Sequence, residues 1–156
     1  MTQGRKCGRC TTCCTYLRVE ELHKPEGAPC WLATKDGCTA YGKRPDSCRK
    51  FECLWLMGVG KESHRPDRSK LLVYTDQSPK IGEVVVVREI ASNGLRGSKA
   101  QGLLKELKRA KVDLYIHRNN GTLSIQGSAD FIKKAEAIKE EMEAEKAARV
   151  ELKVLS

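Results

Sequence analysis

The residue types and spacing that could do chemistry here are eight cysteines, Cys7, Cys10, Cys13, Cys14, Cys30, Cys38, Cys48 and Cys53, all in the first third of the 156-residue chain. The pattern is C-x2-C-x2-C-C-x15-C-x7-C-x9-C-x4-C. Two cysteines separated by two residues can grip one ion, because the turn between them points both sulfurs inward. Four thiolates satisfy a tetrahedral zinc ion, so the set suits about two closed zinc sites. Three cysteines at intervals of three, with a distant fourth, can instead hold a [4Fe–4S] cluster. The Cys-Pro ending of the ferredoxin pattern is missing, since Thr15 follows Cys14. Cys13 and Cys14 are neighbours whose side chains should diverge, serving different ions or leaving one thiol free. Cys10 or Cys13 could also bridge two metals.

Compartment decides how such a set is read. The opening MTQGRKCGRC has no apolar signal run, and no stretch approaches the ~20 apolar residues of a membrane span. A cytoplasmic location is expected, where thiols stay reduced and clustered cysteines are metal ligands or redox groups rather than disulfides. The formal net charge is +9, with +4 in residues 1–60 and +5 in residues 61–156. Eight thiolates on two divalent ions would lower it by about four, to roughly +5, which weakens any nucleic-acid argument from charge alone.

The segment CGRCTTCC (7–14), then Cys30, then GCTAYGKRPDSCRKFEC (37–53) resembles the zinc- or iron-chelating CxxCxxCC cysteine-cluster family, the YkgJ-like proteins, over residues 4–57. Tyr41, Arg44, Pro45, Arg49 and Phe51 join the cysteines in the match, whereas Ala40 stands where a larger aliphatic residue is expected. The resemblance implies a bound zinc or iron–sulfur centre and extends to nothing in the second half. Around the cysteines, Pro45 is expected to rigidify the turn before Cys48. Arg44, Arg49 and Lys50 would offset thiolate charge, and backbone amides near Gly8 and Gly37 would donate to sulfur. Phe51, Leu54, Trp55, Leu56 and Met57 would form an apolar lid over the site or the mini-core of a small domain.

Composition changes near residue 60. An irregular cysteine-rich metal-binding domain (1–60) should be followed, after the polar connection 58–70, by a small α+β domain (61–156) with a helical C-terminal tail. Its expected order is β-β-α-β-β-α, with both helices on one face of a four-stranded sheet. LLVYT (71–75) and the β-branched EVVVVREI (83–90) read as strands. A helix capped by Ser98 runs to about Ala110 and buries Ala100, Leu103, Leu104 and Leu107. VDLYIHR (112–118) and TLSIQ (122–126) should pair through a two-residue Asn120-Gly121 turn. If strands 83–90 and 112–118 are parallel neighbours, a right-handed crossover joins them. The last helix starts near Ser128, buries Phe131, Ala135, Ile138 and Met142, and ends in a charged tail that frays or projects.

Other residues give bland readings. His23 could replace a cysteine but is not at ligand spacing, and His117 reads as an exposed strand histidine. The loop NGLRGSK (93–99) could bind phosphate at a helix N-terminus, but an ordinary glycine turn suffices. Lys105, Lys108, Arg109 and Lys111 complement a helix dipole without needing a partner, and aromatic residues for nucleic-acid stacking are scarce. No Ser-His-Asp set or perturbed carboxylate pair names a catalytic residue, so enzymatic activity stays open. The expected function is a non-catalytic metal-binding or interaction protein holding zinc, or an iron–sulfur cluster, with a protein partner. The alternatives are an iron–sulfur oxidoreductase or transferase component and a zinc-dependent nucleic-acid-binding module.

Overall fold

The computed structural model describes residues 4–154. The ends of the expected tail (155–156) and of the opening segment (1–3) lie outside them. The cysteine-rich stretch is built from very short elements. They are the helix α1 (Thr12–Tyr16), the two-residue strands β1 (Ala33–Thr34) and β2 (Gly37–Cys38), and the helix α2 (Asp46–Lys50). The 58–70 connection is more ordered than its polar composition suggests. It holds a 3-10 turn (Glu62–His64) and the single-turn helix α3 (Pro66–Ser69), with proline at the start where its missing N–H costs nothing.

The second half is an α+β unit with the expected element order: β3 (Leu71–Ser78), β4 (Gly82–Glu89), α4 (Ser98–Arg109), β5 (Leu114–His117), β6 (Leu123–Gln126) and α5 (Ala129–Val154). The sheet order is β3-β4-β5-β6, with β3–β4 and β5–β6 antiparallel and β4–β5 parallel.

The two helices lie on opposite faces of the sheet, not on one. Leu71, Val73, Val87, Leu114 and Ile116 pack with Ala100, Leu103 and Leu107 of α4. Val84 and Val86 pack on the other face with Phe131 and Ala135 of α5. The cause is the unbroken valine run of β4. Side chains alternate along a strand, so consecutive apolar residues need cover on both faces. Only the first part of α5 touches the sheet. Ile138 is half-buried, while Met142, expected in the core, is 65% exposed, and the helix continues outward to Val154.

Two local expectations are also corrected. Ser98 is the first helical residue, and the N-cap is Gly97, with no side-chain cap bond. By contrast, the Ser128 hydroxyl accepts from the Phe131 N–H at 3.2 Å, a true cap for α5. The β5–β6 connection has three residues rather than two. Gly121 N–H donates to the Arg118 carbonyl at 3.0 Å and Arg118 N–H to the Thr122 carbonyl at 2.8 Å. Only Gly121 has positive φ (84°), giving a turn with a glycine bulge.

The cysteine-rich stretch packs on the sheet. Leu54 N–H donates to the Val73 carbonyl on the outer edge of β3 at 2.8 Å, and the Tyr16 hydroxyl donates to the Ile90 carbonyl at 2.6 Å. Glu26 pairs with Arg88, and Phe51 meets the edge of Tyr74 with ring centroids 5.5 Å apart.

Candidate metal centre

The cysteines separated in sequence meet around one cavity of about 350 Å³. Cys7, Cys10, Cys13, Cys14, Cys30, Cys38 and Cys48 all line it. All eight cysteines are free thiols. Cys7 and Cys10 flank a turn closed by Cys10 N–H to the Cys7 carbonyl at 2.9 Å, with Gly8 at φ 55°. Cys13 and Cys14 follow on α1, where successive side chains diverge by about 100°. Cys30 is buried just before the β1–β2 hairpin, Cys38 ends β2, and Cys48 sits mid-way along α2 behind its N-cap Pro45. Gly37 makes the close approach possible. At φ 119° its Cα faces the Gly8 carbonyl so tightly that a Cβ would collide with it, which locks the hairpin to the first cysteine turn.

Cys53 lies off the cavity lining but close to the first turn, feeling the charges of Cys10 and Cys7 and accepting backbone N–H bonds from Leu56 and Trp55. Those amides are donors to sulfur, as is the Cys14 amide to its own thiol. Electrostatic proximity sorts the sulfurs further. Cys7 senses Cys10 and Cys14, Cys13 senses Cys14, Cys7 and Cys10, and Cys48 senses Cys14 and Cys30.

The thiols are not equivalent. Burial pushes Cys7 up, against a Tyr41 hydroxyl bond and the Arg44 charge, and also raises Cys48 and Cys53. Cys13 donates to Cys14, which together with burial holds the Cys13 proton firmly. Receiving that bond, and lying near the Lys24 charge, Cys14 is lowered to about 7 despite its own burial.

Lys24 is the residue that sequence reasoning missed. It is only 2% exposed, and its ammonium donates to the carbonyls of Thr15 (3.2 Å), Leu17 (2.5 Å) and Pro25 (3.1 Å). Its neighbours Glu20, Glu21, His23 and Glu26 give it the look of a solvated face. Of the cations expected near the cluster, Arg44 lines the cavity, lies 4.0 Å over the Tyr41 ring and donates to the Tyr41 carbonyl. Arg49 instead pairs with Asp46 at the surface, and Lys50 is exposed.

The expected apolar lid divides. Phe51 lines the cavity beside Tyr74, whereas Trp55 and Leu56 are buried, Leu54 packs against the α4 side of the sheet, and Met57 is exposed. Trp55 donates to the Lys61 carbonyl at 3.1 Å beneath the Arg5 guanidinium. Thus the sheet, through Tyr74, Thr75 and Asp76, supplies one wall of the cavity.

The sulfurs are spread around that wall rather than gathered at a point. Among the described residues, no group of three or more His, Cys, Asp or Glu side chains stands close enough to hold a metal ion as placed.

The other candidates stay away from the cavity. His23 is exposed in a left-handed turn. His117 is not an exposed strand histidine but half-buried, in register with Arg88; burial first, then the Arg88 charge, lowers its pKa. His64 is buried in the 58–70 connection, where its Nδ1 accepts from Lys61 N–H at 3.2 Å. In the 93–99 loop, the Leu95 amide is already taken by the buried Glu89 carboxylate at 2.9 Å, whose other oxygen accepts from Asn119 N–H. That carboxylate fastens the 3-10 turn Gly94–Arg96, ahead of α4, to the β5–β6 connection. No helix among the described residues is long and apolar enough to cross a membrane.

Comparison of the chain with family models, with curated proteins and with solved structures finds no match.

Proposed function

We propose that this protein is a metal-binding protein of the cysteine-cluster kind, holding about two zinc ions and acting through binding rather than catalysis. The observation that carries the reading is the convergence of seven cysteines, separated by as many as 41 positions, on one cavity backed by a buried lysine. Thiolate sulfur is the donor zinc favours, and the positive charges of buried Lys24 and half-buried Arg44 suit a wall that carries several thiolates.

We assign the set to two groups of four. Cys7 and Cys10 go with Cys13 and Cys53, which sense their charges; Cys14, Cys30 and Cys48, with Cys38 completing it, form the second, although Cys14 also lies near Cys7 and Cys13. The adjacent pair Cys13–Cys14 then belongs to both halves, one residue in each. Ion binding requires the sulfurs to move inward from the wall, which the short elements α1 and β1–β2 allow at little cost in packed surface. A cation there reverses the effect of burial on the thiols, since it favours the thiolate. The YkgJ-like pattern of residues 4–57 agrees with this reading.

A second reading, an iron–sulfur centre, is favoured by one observation: the sulfurs share a single cavity of about 350 Å³, more room than two bare ions need. Cobalt(II) titration distinguishes these readings. Intense visible bands of tetrahedral cobalt thiolate, saturating at about two ions per chain, are expected for zinc-type sites. No such bands at any cobalt concentration would sink the zinc reading. Brown anaerobically purified protein with acid-labile sulfide would replace it with the second.

A further inference from the structure

On the side of the sheet away from the cysteines, the chain leaves a strand edge open beside a basic groove. β6 is the last strand of the sheet. The Arg118–Thr122 bond fixes the ladder phase, so Ile116–Ser124 and Leu114–Gln126 are the bonded pairs of the antiparallel alternation. Leu123 and Ile125 between them turn their N–H and C=O groups outward, and no hydrogen bond reaches those groups among the described residues. Edge strands are commonly guarded by charge, proline or a covering element. The sequence Leu123-Ser124-Ile125-Gln126 has neither charge nor proline. The opposite edge, β3, is met by the Leu54 N–H at Val73.

Along this edge runs a groove of about 930 Å³ between α4, β5–β6 and the start of α5. Arg96, Lys105, Lys108, Lys111 and Arg118 border it; among the described residues no carboxylate or aromatic side chain lines it, and the nearby Asp113 carboxylate is taken by the Ser128 N–H. Ile125, with Ile132 of α5, gives its other side an aliphatic character.

We infer that β6 and this groove form a docking site for an extended segment of a partner protein, acidic on one face and aliphatic on the other, which adds to the sheet as a fifth strand. Main-chain bonds to Leu123 and Ile125 would hold it, the cations would take its carboxylates, and Ile125 and Ile132 its aliphatic side chains. The charge argues against a second copy of this chain, which would bring the same cations against themselves. The absence of aromatic side chains from the lining argues against single-stranded nucleic acid, whose bases stack on such residues.

The test is fluorescence anisotropy with a labelled peptide, Glu-Val-Glu-Ile-Glu-Val-Glu, on the full chain, with Glu-Pro-Glu-Pro-Glu-Pro-Glu as an equally charged peptide that cannot form a strand. The first should bind, and the proline peptide should bind at least about tenfold more weakly. Lys105→Glu with Lys108→Glu should cost a similar factor. So should Ile125→Pro, which removes an outward N–H and spares the ladder to β5. Because that variant could misfold, amide hydrogen exchange on the unaltered chain supplies a second reading: the Leu123 and Ile125 amides should slow when peptide is added. Equal binding of both peptides, no added protection at Leu123 and Ile125, or displacement of the peptide by a tighter-binding short oligothymidylate would overturn the proposal.

Discussion

The ammonium of Lys24 lies near enough to Cys14 for its charge to favour the thiolate, and it is anchored by three backbone carbonyls and almost wholly shielded from water. A lysine so placed ties the chain on either side of the 3-10 turn Glu20–Leu22 to the wall of the cavity. It also supplies positive charge where thiolates would gather.

Replacing it should therefore unsettle both fold and binding. Lys24→Met keeps the unbranched apolar stem, one atom shorter, but leaves three carbonyls without their donor. A loss of about 3 kcal/mol is expected in urea unfolding of the metal-loaded protein, along with weaker metal retention against a chelator. A variant as stable and as well loaded as the parent would show that the buried charge has no part in the centre.

The division of the cysteines into two fours makes a stoichiometric prediction. Cys10→Ser and Cys48→Ser should each lower the zinc content by about one ion per chain, and the double variant should lose both. If either single change removed all the metal, the two groups would be one.

His117 gives a pH dependence unconnected with the thiols. Burial and the Arg88 charge hold its pKa below the ordinary value of 6.5, so the unfolded chain takes up the proton first as pH falls. Its contribution is intact above about pH 6.5 and lost progressively at lower pH. The urea midpoint should fall between pH 7 and 5 more steeply in the parent than in His117→Gln. Parallel profiles would contradict the assignment.

The two ends of the helical layer should respond very differently to truncation. Leu103 of α4 is buried in the larger core, so Leu103→Ala should cost about 2–4 kcal/mol. Met142 stands on the projecting part of α5, and Met142→Ala should change stability by less than about 0.5 kcal/mol. Both are read from chemical denaturation curves.

Much of the framework could be read from local pattern. The valine run, the periodicity of Ala100, Leu103 and Leu107, and the Ser128 cap all act within one element, so each strand and helix lies near its expected place. The placement of α5 was misread as the same face as α4. A strand with Val84, Val85, Val86 and Val87 in succession cannot leave one face to water, although the alternation of β5 pointed to a single buried face. Contacts between distant residues left no such trace. Nothing near Lys24 distinguishes it from a solvated lysine, because its three acceptors are main-chain carbonyls and carry no side-chain signature. Likewise the wall formed by Tyr74, Thr75 and Asp76 depends on how the cysteine-rich stretch folds back on the sheet through Tyr16, Glu26 and Leu54. The cysteine list itself was legible because sulfur clustering is written in spacing, whereas the grouping of the sulfurs depends on that fold-back.

The most direct test of the central claim is the metal content of the full chain purified without oxygen, with its free thiols titrated in parallel. About two zinc ions per chain, with the cysteines protected from thiol reagents until a chelator is added, is the predicted result. A chain that carries no metal and offers all eight thiols freely would contradict the account.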